Sequence, residues 1–265
     1  MKAVRLKTEH LFDPLGIDRP HPSLMWNCDG GKKQTAYRIV TEKWDSGKVE
    51  SDSMRAEYPL GLASRERVNW TITLWDEYGI EGESAKAFFE MGLLAPADWK
   101  AKWITGDYSV NKKNRYPVDC FKQSLTIEKN VAKARLYATA CGLYEASLDG
   151  KKIGDLVFTP GYTDYTKRVQ YQTYDVTEML TECEHELTAL LADGWYRGSC
   201  GAWGRRNQYG TETKLLMQLE IAYADGTFDS VCTDGTWAWS NDGPIREADN
   251  KDGEIVEAFR TPLYT

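Results

Sequence analysis

Glu145-Ala146-Ser147-Leu148-Asp149-Gly150-Lys151-Lys152-Ile153 is the stretch that decides the fold. A two-residue type I′ turn needs positive φ at both central positions, and Asp-Gly tolerates this better than almost any other pair. The segment therefore predicts a tight β-hairpin, and Asp225-Gly226 repeats the signal further on. Around these turns, alternation of apolar and polar residues predicts strands at Cys120 to Ile127, Ala134 to Leu148, Val169 to Asp175, Glu186 to Leu191, Lys214 to Ala222 and Ser230 to Trp239. One short helix is expected, from Thr177 to about Glu184, with the threonine accepting from the first free amides and Met179 and Leu180 facing inward.

Upstream, the same period of two runs through Ser23 to Cys28, Thr35 to Thr41 and Val68 to Asp76, where Trp70, Ile72 and Leu74 share a face. Asp13-Pro14, Asp29-Gly30-Gly31, Asp45-Ser46-Gly47 and Tyr78-Gly79 punctuate these runs, and Phe88-Phe89-Glu90-Met91 reads as the last strand. Leu94-Ala95-Pro96-Ala97-Asp98 then breaks the pattern. With 265 residues, enough for about two cores, the expectation is an all-β chain. Residues 1–95 would form a fibronectin III- or immunoglobulin-like sandwich, and residues 96–265 a jelly-roll sandwich like those of lectins and carbohydrate-binding modules.

The segment from Asp193 to Gly210 reads DGWYRGSCGAWGRRNQYG, with five glycines, four aromatics and three arginines, a composition unsuited to a helix or regular strand. Trp195, Tyr196, Trp203 and Tyr209 are stiff amphipathic plates, and Arg197, Arg205 and Arg206 are planar forks of donors. Plates beside forks suit a sugar ring, which has an apolar C–H face and an equator of hydroxyls. Equally, the aromatics can fold inward as a small core covered by the arginine stems. In the sugar-platform reading Trp195 or Trp203 offers the open face, and Arg205 reaches hydroxyls that Asn207 or Asp164 also contact. Asp164 belongs to a second aromatic turn, Pro160-Gly161-Tyr162-Thr163-Asp164-Tyr165.

Formal charge is −7 without a basic block, which argues against nucleic acid as a partner. No apolar stretch approaches the roughly 20 residues of a membrane span, and no signal-peptide core follows Met1-Lys2-Ala3-Val4-Arg5, so a soluble, cytoplasmic chain is expected. Six cysteines without a CxxC pair and three histidines outside zinc-ligand spacing read as reduced thiols without a metal. Glu247, Asp249, Asp252, Glu254 and Glu257 could offer oxygens to calcium, but their spacing is not that of an EF-hand and does not support a cofactor. Serine-hydrolase, zinc-protease, phosphate-loop and dinucleotide motifs are missing.

A resemblance follows from segments in a fixed order. They are Ala36-Tyr37-Arg38-Ile39, Trp44-Asp45-Ser46-Gly47-Lys48-Val49, Phe89-Glu90-Met91-Gly92-Leu93-Leu94, Asp98-Trp99-Lys100-Ala101-Lys102-Trp103-Ile104, Gly142-Leu143-Tyr144-Glu145 and the run from Lys167 to Thr177. This order resembles bacterial α-L-rhamnosidases of the large inverting type over nearly the whole chain. The resemblance implies a fibronectin-like sandwich and a jelly roll that helps recognise substrate, followed in the family by further β domains and an (α/α)6 barrel carrying the catalytic acid and base. No positions here correspond to that barrel, so no catalytic residue is carried over.

Gly194-Trp195-Tyr196-Arg197-Gly198 and Tyr209-Gly210 match the family pattern. Cys183-Glu184-His185-Glu186 stands where relatives show a Gly-Glu-Asn turn, and Gly253-Glu254-Ile255-Val256-Glu257-Ala258-Phe259 departs from a Gly-Glu-x-Tyr-Asp-Ala-Arg run. Ending at Thr265, before a closing strand, the chain reads as an excised piece. The expected role is ancillary: a non-catalytic fragment that engages rhamnose-containing glycans, or a structural module packing against the missing catalytic domain.

Overall fold

In Arg67–Trp75 every second residue from Val68 to Leu74 turns inward, and the computed structural model buries all four, with Trp70, Ile72 and Leu74 at 1% exposure or less. The structure describes residues 1–201 and 203–265. They divide into two compact units, Met1–Trp99 and Lys100–Thr265.

The first unit contains β1 (Lys2–Thr8), β2 (Ser23–Asp29), β3 (Ala36–Thr41), β4 (Val49–Glu50), β5 (Arg55–Glu57), β6 (Arg67–Trp75) and β7 (Ala85–Glu90). They form antiparallel sheets ordered β1-β2-β5 and β4-β3-β6-β7. Trp26, Ile39, Trp70 and Phe89 are among the buried residues that these sheets share as one core. Trp26 makes the burial of its indole tolerable by donating Nε1–H to Gln34 Oε1 at 2.9 Å.

The second unit contains β8 (Asp119–Thr126), β9 (Val131–Cys141), β10 (Leu143–Leu148), β11 (Lys151–Lys152), β12 (Gln172–Asp175), β13 (Glu184–Ala192), β14 (Lys214–Tyr223), β15 (Phe228–Cys232), β16 (Ala238–Ser240), β17 (Ile245–Asp249) and β18 (Gly253–Val256). A five-stranded sheet runs β11-β10-β13-β8-β16 and a four-stranded sheet β12-β9-β14-β15, while β17 and β18 pair as a separate hairpin. Leu136, Leu187, Leu191, Leu215 and Met217, from both larger sheets, meet in one apolar core at 1% exposure or less. The chain is all-β, as the alternation indicates.

Asp149 and Gly150 have φ of 51° and 73°, and Leu148 pairs with Lys151 across them, the geometry of the predicted two-residue turn. Asp225-Gly226 differs. Only Gly226 takes positive φ, at 82°, within a longer loop closed by the Tyr223 amide on the Thr227 carbonyl. Four other expectations also need correction. The strand expected from Ser230 to Trp239 is two, β15 and β16, which belong to different sheets. The continuous strand from Ala134 to Leu148 breaks at Gly142, where the chain leaves one sheet for the other; a Cβ there would lie 2.5 Å from the Ala192 carbonyl oxygen. The helix after Thr177 shrinks to a 3-10 turn, Thr177–Met179. Its capping acceptor is Asp175, which takes the Thr177 amide at 3.0 Å, while the Thr177 hydroxyl accepts from Ala134 N–H. The glycine-rich loop begins with a helical turn, α1 (Gly194–Arg197).

Among the described residues no helix is long and apolar enough to cross a membrane. Leu136 is fully buried in β9, so Leu136→Ala should destabilise the second unit by about 2–5 kcal/mol, read as a lower denaturant midpoint at unchanged slope. A loss under about 0.5 kcal/mol would contradict the shared-core assignment.

Candidate functional site

Asp193 sits at the end of β13 and folds the next residues around its carboxylate. Its Oδ1 accepts from Arg197 Nε at 2.7 Å and its Oδ2 from Arg206 at 2.6 Å, so one acid holds both ends of the loop. Arg197, 2% exposed, passes a further hydrogen bond to the Tyr108 hydroxyl at 2.7 Å and stands 5.3 Å from the Tyr116 ring centroid. Burial disfavours its charge, but Asp193 and Tyr108 more than offset that and raise its pKa. The chain of contacts continues inward. Tyr108 stacks on Trp239 at 5.9 Å, and fully buried Asp119 accepts from Trp239 Nε1 at 3.0 Å and from the Thr213 hydroxyl at 3.2 Å. Burial pushes Asp119 up to about 6 and Tyr108 up to about 12.

The outer side of the loop is aromatic. Trp195 is half-buried, 5.9 Å from the Phe158 ring and 5.8 Å from the Tyr162 ring. Tyr162 and Tyr209 share a hydroxyl–hydroxyl hydrogen bond of 3.1 Å, which pushes Tyr209 up to about 12. Tyr165 packs against Tyr209 at 5.2 Å and Tyr196 at 5.4 Å. Tyr165, Tyr196 and Tyr209, all raised, therefore stay protonated at neutral pH and can donate as well as accept.

Phe158 alone of these rings also lines a groove of about 580 Å³ on the outer face of the five-stranded sheet, floored by Leu143, Leu190 and Ala192 and flanked by Ile245 and Ala248. Leu156, Val157 and Phe158 form its exposed rim, and Glu145, Lys152 and Glu254 supply polar groups. Phe158 holds φ at 57°, rare for a bulky side chain, with 57% of its surface exposed.

The residues proposed from sequence thus separate into three groups. Trp195, Tyr196 and Tyr209 come together in the aromatic wall. Trp203, 89% exposed, and Arg205, also exposed, lie further along the loop, where Cys200 and Arg205 pair through both backbone hydrogen bonds. Arg197 points inward as structural charge, and Asn207 uses its side-chain amide on the Lys112 carbonyl at 3.0 Å. Asp164 is spent on its own turn, accepting from the Thr166 amide and hydroxyl at 3.1 and 2.6 Å. Sequence reasoning passed over Phe158 and the groove; the exposed apolar run Leu156-Val157-Phe158 was the available signal.

The acidic stretch is also occupied. Asp249 accepts from the backbone amides of Ser199, Lys251 and Asp252, and Asp252 pairs with Arg115. Among the described residues no group of three or more His, Cys, Asp or Glu is arranged to hold a metal ion.

Two antiparallel β-sheet units, the second carrying an aromatic wall beside an apolar groove, define an all-β protein. Residues 129–263 match the family described as Alpha-L-rhamnosidase N-terminal domain, and residues 3–95 match the Rha78A-like, N-terminal immunoglobulin domain. The chain belongs to the α-L-rhamnosidase family through these N-terminal domains. An α-L-rhamnosidase of Alteromonas sp. is 35% identical over 93% of this chain. The crystal structure of the native Aspergillus terreus α-L-rhamnosidase is 30% identical and superposes on 96% of the chain with a TM-score of 0.89. That of the Streptomyces avermitilis enzyme complexed with L-rhamnose is 24% identical, covers 97% and has a TM-score of 0.88, a likeness of fold. The chain spans 29% of the Alteromonas relative and 31% and 42% of the two crystallised chains.

Two outcomes test the buried network. Asp193→Ala strands two guanidiniums, Arg197 fully buried and Arg206 partly so, and should cost about 3–5 kcal/mol in chemical denaturation. Because Asp119 titrates higher in the folded chain than the usual 3.8, its protonated form stabilises the fold below about pH 4, and that contribution is lost as pH rises through about 6. Asp119→Asn should therefore gain stability relative to wild type by about 2 kcal/mol between pH 4 and 7. A pH-independent difference would show that Asp119 does not titrate in this window.

Proposed function

We propose that the chain is a non-catalytic portion of an α-L-rhamnosidase whose second unit assists recognition of rhamnosyl glycans. The observation that carries this reading is the aromatic wall of Phe158, Tyr162, Trp195 and Tyr209, partly open to solvent and joined through Phe158 to the 580 Å³ groove. Deoxyhexoses such as rhamnose present a methyl group and C–H faces that stack on rings, while Glu145 and Lys152 at the groove match their hydroxyls. Trp203 and Arg205 offer a further plate and fork at the loop tip. The relative crystallised with L-rhamnose supports the sugar class. Catalysis is assigned to a helical barrel elsewhere in the parent enzyme, since the resemblance places the acid and base there.

A second reading is favoured by the rim itself. Leu156, Val157 and Phe158, at 50%, 69% and 57% exposure, are more apolar than a sugar needs and suit packing against that catalytic domain.

Titration with L-rhamnose and short rhamnosides, followed by calorimetry or chemical shifts, separates the two. A single stacked ring contributes on the order of 1 kcal/mol, so saturable binding in roughly the millimolar to high-micromolar range is expected. Trp195→Ala should weaken it most, about five- to tenfold. No saturable response, or equal binding by Trp195→Ala and Trp203→Ala, would favour the packing role. The chain alone should not hydrolyse an aryl α-L-rhamnoside; turnover abolished by a carboxylate substitution within it would overturn the non-catalytic assignment.

A further inference from the structure

We propose that Cys183 is a histidine-assisted nucleophilic thiol, a site for covalent modification by small disulfides that lies apart from the aromatic groove. Cys183 is an exposed residue, and its sulfur stands 3.4 Å from His185 Nε2 and 3.3 Å from the Thr181 hydroxyl. On the other side of the imidazole, Nδ1 lies 2.7 Å from Asp149 Oδ2. A nucleophile, a base within reach and an acid that orients the base are thus in line.

The tautomer follows from the partners. A carboxylate only accepts, so Nδ1 carries a proton and Nε2 faces the thiol. Nε2 also lies 2.8 Å from the Thr181 carbonyl and 3.1 Å from its amide. When Nε2 takes the cysteine proton, the new N–H finds that carbonyl, and both imidazolium protons are satisfied. Burial pulls His185 down, yet the hydrogen bonds of Asp149 and Thr181 and the Asp149 charge outweigh it and leave the pKa raised. Asp149 is the charged group acting on the ring. Leu125 faces His185 across the strand pair; Glu184 and Glu186 alternate to the other side, where Glu186 pairs with Lys122; and Glu182 lies in the exposed turn.

Asp149 is fixed independently of the histidine. It sits at the positive-φ turn, and its Oδ1 accepts from the Glu186 amide at 2.8 Å. The other five cysteines are buried or half-buried, and desolvation raises the pKa of each. One thiol therefore stands apart in a chain of six. In the reaction, the Cys183 proton passes to His185 and the thiolate attacks one sulfur of the disulfide. The S–S bond breaks, the departing half leaves as a thiolate that takes a proton from solvent, and Cys183 is oxidised to the mixed disulfide while the reagent is reduced.

The test uses the 265-residue chain. Native protein is alkylated with iodoacetamide across pH 5.5 to 10 and, separately, incubated with glutathione disulfide, with the modified residue mapped by peptide mass spectrometry. Cys183 should be the residue modified in both, and at pH 7 its alkylation should outpace that of the other five cysteines by about tenfold or more. His185→Asn, which removes the base beside the thiol, should slow alkylation of Cys183 at pH 7 about threefold. Asp149→Asn, whose amide side chain keeps the positive-φ turn, should slow the alkylation in the same direction and serves if the histidine variant fails to fold. An alkylation rate of Cys183 unchanged in both variants, or modification mapped to another cysteine, would overturn the proposal.

Discussion

A single carboxylate, Asp193, organises the surface that this chain presents. Without it, two guanidiniums, one of them fully buried, would lose their shared counter-charge, since the other groups they bond to, the Tyr108 hydroxyl and the Thr211 and Asn114 carbonyls, carry no full negative charge. The helical turn Gly194–Arg197 closes because the acid and Arg197 are four residues apart on one face. Closing the turn aims Trp195 outward toward Phe158 and Tyr162 while Arg197 goes inward toward Tyr108. Polar network and aromatic wall are two sides of one fold of the backbone.

The sandwich beneath sets where that fold can occur. Gly142 lets the chain pass from one sheet to the other, and Gly194 packs so closely over it that a Cβ at 194 would stand 2.6 Å from the Leu143 side chain. Both glycines are therefore demanded by contact as well as by turning. The groove inherits its floor from the outward residues of β10 and β13, positions that a fully solvated sheet would fill with polar side chains.

Much of this was legible in the residues. Alternation at Val68 to Leu74 and the Asp149-Gly150 pair carry period and turn geometry directly, because each depends on local sterics alone. The break at Gly142 was hidden because apolar alternation continues on both sides of it; a sheet crossing is a tertiary event that leaves period two intact. Capping by Asp175 was missed because threonine looks like an equally good acceptor until its hydroxyl is claimed by a neighbouring strand. The aromatic wall was half visible. Trp195, Tyr196 and Tyr209 were named from one loop, but Phe158 and Tyr162 come from another, and no spacing rule links segments some 40 residues apart. Arg197 is instructive, since the Asp193-x-x-x-Arg197 interval already contained the pairing that turns it inward.

The openness of Trp203 has an optical consequence. Of the ten tryptophans, only Trp103 and Trp203 are exposed, at 44% and 89%, while Trp26, Trp70, Trp75 and Trp237 are buried. An indole bathed in water emits at longer wavelength than one in a dry core and is reached first by a collisional quencher. Emission from the red edge of the spectrum therefore reports disproportionately on the tip of the glycine-rich loop, giving the chain a built-in label at that point.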